Sequence, residues 1–264
     1  MWAAMRSELV RLARPRMLIG WFGLVAVFAA LINTVMFSMT GRDAPAAGPG
    51  VAFPDAATLA SSDGLVVGLS AASSMFGIVT LAFWAIVTAT DYSSGLIRLL
   101  VAAQPHRWKL LAGKVTALAA VTALATLVAV MVNVAVAPAA AEAAGIDTSA
   151  WRSADLPAML AQAWVNAFLA CLVWGVVGLA LATVTRSSAI AISVGAGWVL
   201  LVESIIAAAF DGGVSWLPGT VLTAVAQGGN TTLGHAAAIG LGATYVLLGL
   251  GVATLVAVRR DVTD

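Results

Sequence analysis

Residues 110–137 read LLAGKVTALAAVTALATLVAVMVNVAVA, a run of 28 residues with a single charge, Lys114. A helix needs about 20 predominantly apolar residues to cross the hydrocarbon core of a bilayer. Every backbone polar group in that core must be paired inside the segment itself. An apolar run of this length therefore predicts a membrane-spanning α-helix.

Five further runs of the same kind occur along the chain. Together the predicted spans are 17–39, 64–90, 110–137, 156–184, 188–210 and 233–258. The composition agrees, because 61% of the 264 residues are hydrophobic, 9% are charged and the mean hydropathy is +1.01. A soluble domain carries about 25% charged residues, and a disordered chain combines low hydrophobicity with high charge. Both classes are excluded, and the sequence predicts an all-α integral membrane protein with one domain, 1–264.

The positive charges are distributed unevenly over the segments between the predicted spans. Eleven of the 13 Lys and Arg residues fall on one side, whereas Arg42 and Arg152 fall on the other side with seven acidic residues. Because basic loops stay in the cytoplasm, both termini are expected there. High Ala, Gly and Val content is typical of GC-rich bacteria, so we expect a bacterial plasma membrane. The net charge of +1 argues against nucleic-acid binding, which needs a basic excess.

The N-terminal segment, 1–16, has a pattern of its own. Four apolar residues recur on it at helical spacing: Trp2, Met5, Leu9 and Leu12. Its arginines, including Arg6, Arg11 and Arg14, point elsewhere. This pattern predicts an amphipathic helix in the membrane interface, with its arginines facing lipid headgroups. Pro15 is expected to end this helix and let the chain turn into the membrane.

The segment 211–232, between the fifth and sixth spans, has a pattern that favours a short helix at the outer leaflet, and an ordinary loop stays open as the alternative. It begins with DGG at 211–213, contains WLPG at 216–219 and reaches QGGN at 227–230. The stretch between is too short to span a bilayer and too apolar for a free loop. A short helix that dips into the outer leaflet, or lies on it, fits both properties.

The loop between the second and third spans carries the most information about function. Residues 91–110 read DYSSGLIRLLVAAQPHRWKL. A carboxylate opens the loop, a short helix with an apolar side follows, and Pro105 ends that helix before a basic cluster. The pattern acidic–aromatic–x–x–Gly–x–Ile–Arg, followed by Pro and by Gly-Lys, resembles the corresponding loop of permeases in the type-2 ABC exporter family. That family more often begins the motif with Glu and continues Gly-Thr, where this chain has Asp91 and Gly95-Leu96.

The resemblance extends to the amphipathic N-terminal helix, the six spans and the Leu-Pro segment before the last span. It implies the permease subunit of an ATP-driven exporter, paired with a second permease, identical or paralogous, in the lipid bilayer. Two copies of a separate ATPase subunit would hold the ATP and Mg. Residues 91–105 would contain the coupling helix, and five of them would contact or brace the ATPase: Asp91, Tyr92, Gly95, Ile97 and Arg98. Residues 211–232 would form an outer re-entrant hairpin near the exit. The apolar interior suits a lipophilic or amphipathic cargo such as a drug, antibiotic, peptide or lipid.

No motif in the sequence predicts catalysis by this chain alone. The nearest nucleotide-binding match, Gly113-Lys114, has Trp108 in place of the first glycine and Val115 in place of the hydroxyl residue. No bound cofactor or metal is expected either. The chain is therefore predicted to be the non-catalytic part of its complex.

Glu203 is the one ionisable residue expected well inside a span. A membrane carboxylate is energetically costly, which makes Glu203 a candidate for the substrate path or the permease interface. A structural hydrogen bond to a neighbouring helix is an equal alternative. Asn33 and Asn166 are further candidates of this kind, although amides in spans more often link helices, as Asn133 and Gln162 would. Two other functions stay open: a secondary transporter with Glu203 as its proton or cation site, and a non-transporting membrane anchor or sensor.

Overall fold

The regular structure of the described residues is entirely helical. The computed structural model describes residues 2–40, 54–104, 106–210 and 214–259. Within them the chain forms eleven α-helices, a 3₁₀ turn at Ser149–Trp151 and a π-helical turn at Trp198–Val202. The α-helices are α1 (Trp2–Leu12), α2 (Pro15–Ser38), α3 (Ala56–Ala60), α4 (Gly64–Ser93), α5 (Leu96–Ala103), α6 (Arg107–Ala143), α7 (Leu156–Thr185), α8 (Ser188–Gly197), α9 (Glu203–Ala209), α10 (Pro218–Gln227) and α11 (His235–Arg259). The predicted all-α class is confirmed.

Six helical segments are long and apolar enough to cross a membrane. They are α2, α4, α6, α7, the combined segment Ser188–Ala209 and α11, with lengths of 22 to 37 residues. At a rise of about 1.5 Å per residue, even the shortest covers the roughly 30 Å hydrocarbon core. The prediction of six spans in a multi-pass membrane protein is confirmed.

Several helix ends differ from the predicted ends for local reasons. Pro15 does not simply stop α1 but begins α2, where a proline loses no helical hydrogen bond. The second long helix continues to Ser93. The third starts at Arg107 and runs through Pro138 to Ala143. Residues 139–143 are four alanines and Glu142, strong helix formers that favour continuation beyond the proline.

The centre of the bundle is the seam between α4 and α7, which glycines allow to close. A Cβ at Gly175 would lie 2.5 Å from Cε2 of Trp84, so only a glycine lets the indole pack this close to α7. Trp84 is fully buried, and its indole N–H donates to the hydroxyl of Thr122 on α6 at 3.0 Å. One side chain thus joins three of the long helices.

The outer helices leave much apolar surface uncovered. We compared the share of buried residues in the most apolar 18-residue window of each segment. That share is 61% in α7, 22% in α2, 17% in Ser188–Ala209 and 11% in α11. Large exposed side chains include Leu201 and Ile205 on the fifth segment and Leu247 and Leu248 on α11. Faces of this size indicate contact with lipid or with another protein.

The bundle has two distinct ends. The α1 end holds α1, α5, the start of α6 and the junction after α7. The α10 end holds α3, the 3₁₀ turn and α10, which packs against α4, α7 and α11. Val221, Leu222 and Val225 of α10 are buried at or below 1% exposure, so this short helix is part of the core. Residues 211–213, which open the predicted hairpin, and residue 105, the predicted stop of the coupling helix, lie outside the described residues.

Candidate functional site

Four charged side chains form an ion cluster at the α1 end: the buried Glu8, Asp91 and Lys114 and the half-buried Arg11. The Arg11 guanidinium donates to Glu8 at 2.8 Å and also to Asp91. The Lys114 ammonium lies 3.2 Å from Glu8 Oε2 and 2.7 Å from Asp91 Oδ2. Each carboxylate therefore meets both cations, and the cluster is neutral as a whole.

The ion cluster ties three helices together at one point. Glu8 and Arg11 are three residues apart on α1, a spacing that places them on one helix face. Asp91 comes from the last turn of α4, and Lys114 comes from the second turn of α6. Gly113 makes the approach of α1 possible, because a Cβ there would lie 2.7 Å from Cβ of Ala4.

Burial and attraction act against each other on Arg11. Burial disfavours its charge, but the hydrogen bond and charge of Asp91 and the charge of Glu8 outweigh that effect and raise its pKa. The arginine therefore stays charged under all ordinary conditions. The expectation that Arg11 faces lipid headgroups is wrong, because its side chain turns into the bundle.

The segment predicted to hold the coupling helix has a sharply defined geometry. Ser94 is the C-cap residue of α4, and Gly95, at φ +70°, is the N-cap residue of α5. This left-handed backbone conformation favours glycine over any residue with a Cβ. Leu99, at 69% exposure, points away from the bundle, and Arg98 is exposed beside it. α5 is thus an eight-residue helix that the loop holds across the ends of longer helices.

The five predicted coupling residues occupy different environments. Asp91 is 2% exposed and belongs to the ion cluster. The Tyr92 ring lies below the guanidinium of Arg186, 5.8 Å from the ring centroid. Ile97 is half-buried, and Arg98 is exposed. Of these five, Asp91 and Tyr92 brace the loop from within the chain, whereas Arg98 lies at the surface, where a partner could contact it.

A cavity of about 240 Å³ lies between α5 and the ends of the long helices, and we call it the loop cavity. Its walls come from α4, α5, α6, α7 and α11, together with Glu8 of α1. Apolar side chains such as Leu100, Leu111 and Val256 alternate in the walls with basic ones. The guanidinium of Arg107 also donates to the carbonyl of Ala257 at 2.9 Å, which closes the side next to α11.

Glu203 lies far from this site and has a structural partner. Both oxygens of its carboxylate lie 2.9 Å from the backbone N of Gly219, in the first turn of α10. The N-terminus of a helix has unpaired N–H groups and a partial positive charge, and both favour a carboxylate. Glu203 therefore caps α10, which agrees with the structural alternative considered for it. Tyr245 adds a second link by donating to the carbonyl of Trp216.

If Glu203 acts as a cap, changing it to Ala should cost about 1 kcal/mol of stability, the usual loss when a cap is removed. Glu203→Gln should cost less, because the amide oxygen can still accept from Gly219. The loss of stability in each variant is measured as the shift in the thermal midpoint of the protein purified in mild detergent. A proton or cation site predicts a different result, in which Gln abolishes the activity as fully as Ala does.

The two candidate asparagines also take part in helix packing. Asn166, on α7, accepts from Gln162 Nε2 at 3.0 Å and lies 3.1 Å from His235 Nε2 at the start of α11. It therefore links two long helices at the α10 end. Asn33, fully buried on α2, donates to the carbonyl of Ala29 in its own helix at 2.9 Å. Among the described residues its amide makes no N–H or O–H hydrogen bond to another helix, so the interhelical hydrogen bond expected of Asn33 is not found.

Asn33 and Asn133 meet over Gly68 of α4. Asn133 donates to the carbonyl of Leu65 at 2.7 Å and so joins α6 to α4. Within the described residues, neither amide oxygen accepts an N–H or O–H. A Cβ on Gly68 would clash with the Asn33 oxygen and would lie 3.3 Å from that of Asn133, so the glycine Cα–H faces both. Weak Cα–H···O contacts of this kind recur at helix interfaces.

The described residues contain no group of three or more His, Cys, Asp or Glu side chains that could hold a metal ion. The only cysteine, Cys171, is fully buried.

The fold and this site define an all-α, multi-pass membrane protein whose charged site lies at one end of the bundle. The chain belongs to the family described as protein of unknown function (DUF2705), whose model matches residues 26–229. That range covers Asp91 and Lys114 but neither α1 nor α11. No curated protein matches the chain.

Proposed function

We propose that the chain is the membrane-spanning permease subunit of an ATP-driven exporter of the type-2 ABC class. α5 would be the coupling helix, held in the cytoplasm against a separate ATPase subunit that carries the ATP and Mg. A complex of two permeases and two ATPase subunits would move a lipophilic or amphipathic compound outward across a bacterial plasma membrane.

The observation that carries the proposal is the attachment of α5 to the bundle. Gly95 joins α5 directly to α4, and the last turn of α4 is held to α1 and α6 by the ion cluster. A push on α5 would therefore reach three helices without bending a flexible loop. A coupling element needs this stiffness, because a compliant link would absorb the ATPase motion.

Two further observations agree with the proposal. Leu99 and Arg98 are exposed on α5 and offer a partner one apolar and one charged contact. The uncovered faces of α2, Ser188–Ala209 and α11 leave room for a second permease as well as for lipid. The contacts of Glu203, by comparison, favour a structural role over ion coupling, so they give no support to a secondary transporter.

The test is whether an ATPase with a nucleotide-binding loop co-purifies with the chain and depends on α5. We expect Arg98→Glu to weaken co-purification about tenfold or more, equivalent to about 1.4 kcal/mol of interaction. Reversing an exposed charge changes the complementarity of an interface but leaves the spans intact. The matched control is Arg152→Glu, which reverses an exposed arginine in the segment between α6 and α7.

Quantitative mass spectrometry of the tagged protein in native membranes measures the ratio of ATPase to permease. If the ratio of ATPase to permease is the same for Arg98→Glu and Arg152→Glu, α5 is not part of the interface with the ATPase. If no ATPase accompanies the unaltered chain, the exporter proposal itself fails.

A further inference from the structure

We propose that a second cavity, next to Glu203, binds the ammonium group of a lipophilic amine. The cavity lies between α4, α7, the π-helical turn, α9 and α10, and we call it the acid cavity. Binding of the amine needs no ATPase and can be measured on this chain alone. Only the further step, in which the bound amine is also the exported compound, rests on the exporter proposal.

The first argument is the charge of the acid cavity. Glu203 is the one titratable side chain among the described residues that line it, and they include no Lys, Arg or His. The carboxylate meets neutral donors, which are the backbone N–H groups of Gly219 and Thr220 and the indole of Trp198. The N-terminus of α10 adds only about half an elementary positive charge. About half of the carboxylate charge therefore remains, and a cationic ligand would balance it.

The burial of Glu203 strengthens this attraction. The residue is 6% exposed, and in such surroundings two charges attract each other several times more strongly than in water. Capping of α10 and binding of an ammonium are compatible, because an ionised carboxylate has about four acceptor positions. The cap uses part of them and leaves the negative charge in place. An ammonium at hydrogen-bond distance would therefore gain more here than at an exposed carboxylate.

The second argument is the apolar part of the wall, which favours an organic cation over a metal ion. Met75 and Ile78 of α4, Trp174 of α7 and Val199 and Leu200 of the π-helical turn line the acid cavity. A hydrated metal ion gains nothing from these side chains. The alkyl or aromatic group of an amine would bury apolar surface against them. An indole also attracts a cation that lies over its ring face.

The rim of the acid cavity is open to the bilayer. Met75 is 39% exposed and Leu200 is 48% exposed, and both belong to segments that are long and apolar enough to cross a membrane. A lipophilic amine dissolves in the bilayer and can reach the carboxylate from there. A strongly hydrated cation cannot follow this route, because its charge is costly in hydrocarbon.

The size and the remaining polar groups define the ligand further. The acid cavity holds about 270 Å³, just below the about 300–1,000 Å³ of pockets that enclose a drug-sized ligand. It can therefore take an ammonium group with one small apolar group. Thr220 and Thr223 of α10 also line the cavity. Their hydroxyl oxygens can accept from a primary ammonium, which has three N–H donors.

The experiment measures binding of benzylamine, which is protonated at neutral pH, and of benzyl alcohol, its neutral counterpart. Calorimetric titration of the full chain in nanodiscs of phosphatidylcholine gives both affinities, with empty nanodiscs as the blank. We expect the amine to bind about tenfold or more tightly than the alcohol, because only the amine pairs with the buried charge. Glu203→Gln should bind the two about equally, since it keeps an acceptor for Gly219 but loses the charge.

The control for the charge is Glu142→Gln, which removes an exposed carboxylate in the last turn of α6 and should keep the preference for the amine. The thermal midpoints of the same samples separate binding from folding. If Glu203 acts only as a cap, Glu203→Gln loses some stability but keeps whatever preference the unaltered chain has. That result would overturn the proposal.

A second pair of variants tests the site without removing charge. Ala207→Trp places an indole in the wall of the acid cavity and should weaken amine binding about tenfold or more, as expected when a bulky ring fills the space of the ligand. Ala208→Trp, at an exposed position of the same helix outside the lining, should leave binding unchanged. This pair keeps the proposal testable even if Glu203→Gln does not fold.

Three other results would overturn the proposal. The unaltered chain might show no saturable binding of benzylamine above the blank. Equal losses in Glu203→Gln and Glu142→Gln would mean a general attraction of amines to acidic residues. Amine binding that Ala207→Trp leaves unchanged would place the ligand elsewhere. Tight amine binding by a chain that co-purifies with no ATPase would confirm the site and reject only its role in export.

Discussion

Changing Lys114 to Met is expected to destabilise the protein by about 3–5 kcal/mol, the usual cost of removing one partner from a buried ion pair. Lys114 is 7% exposed and contacts both Glu8 and Asp91. Without it, two buried carboxylates share the single charge of Arg11, and the ion cluster becomes negative in a low-dielectric environment. Met keeps the length and apolar character of the stem, so the change isolates the charge.

The thermal midpoint of the detergent-purified protein measures this loss, and we expect a fall of several degrees. Lys109→Met is the control, because Lys109 lies on the same helix outside the ion cluster and should change stability by less than about 0.5 kcal/mol. A decisive comparison adds Glu8→Gln to Lys114→Met, which leaves Arg11 and Asp91 as a neutral pair. The double variant should be more stable than Lys114→Met alone. Strictly additive losses would mean that Glu8 and Lys114 do not interact.

Trp84→Ala is the second change with a large expected effect, again about 3–5 kcal/mol. The indole is fully buried, lies against Gly175 of α7 and donates to Thr122 of α6. Its removal opens a cavity where α4, α6 and α7 meet and leaves no donor for the Thr122 hydroxyl. The rigid seam of the bundle would loosen at its centre.

Trp84→Phe separates the loss of ring packing from the loss of the hydrogen bond to Thr122, because Phe keeps an aromatic ring but has no N–H. We expect it to cost less than half as much as Trp84→Ala in the same thermal measurement. Trp2→Ala serves as the control, since Trp2 is 75% exposed and its loss should not shift the midpoint. A shift for Trp84→Ala no larger than that of Trp2→Ala would show that the α4–α7 seam does not depend on the indole.

The spans can be predicted from sequence because the physics that forms them is local. An apolar run such as 110–137 must become a helix in a bilayer whatever surrounds it. The helix ends are harder to predict, because a charged residue such as Asp91 is typical of a loop beyond the end of a span. In the structure Asp91 extends α4, since it finds opposite charges on α1 and α6 that allow it to be buried.

The ion cluster could not be predicted, because Glu8 and Lys114 are 106 residues apart and only the tertiary packing brings them together. A signal was nevertheless present. Glu8 is the single acidic residue among the basic ones of segment 1–16, and Lys114 is the single charge in the third apolar run. Two isolated opposite charges that are both expensive to bury are candidates for a pair.

Helix packing is equally hard to predict from closely spaced glycines. Closely spaced glycines such as Gly175 and Gly178 indicate that helices approach closely, but not which helices. The structure places these two against α4, whereas a Cβ added at Gly197 or Gly251 would meet no atom within 4 Å. The spacing of glycines along one helix cannot distinguish a glycine that packs against another helix from one that does not, because it carries no information about the neighbouring helix.

The π-helical turn at Trp198–Val202 sets the direction in which Glu203 points. In an uninterrupted α-helix, residues 191 and 203 would differ by about a third of a turn, since twelve residues make about 3.3 turns. A π-turn spreads its hydrogen bonds over one more residue and so brings the two positions back toward the same side. Ala191, Gly195 and Glu203 are accordingly all buried. The wide turn therefore accommodates one extra residue without changing the side on which Glu203 lies. If one residue were deleted from it and the segment became a regular α-helix, Ala191 and Glu203 would be eleven residues apart, about 3.1 turns, and the carboxylate would still face α10.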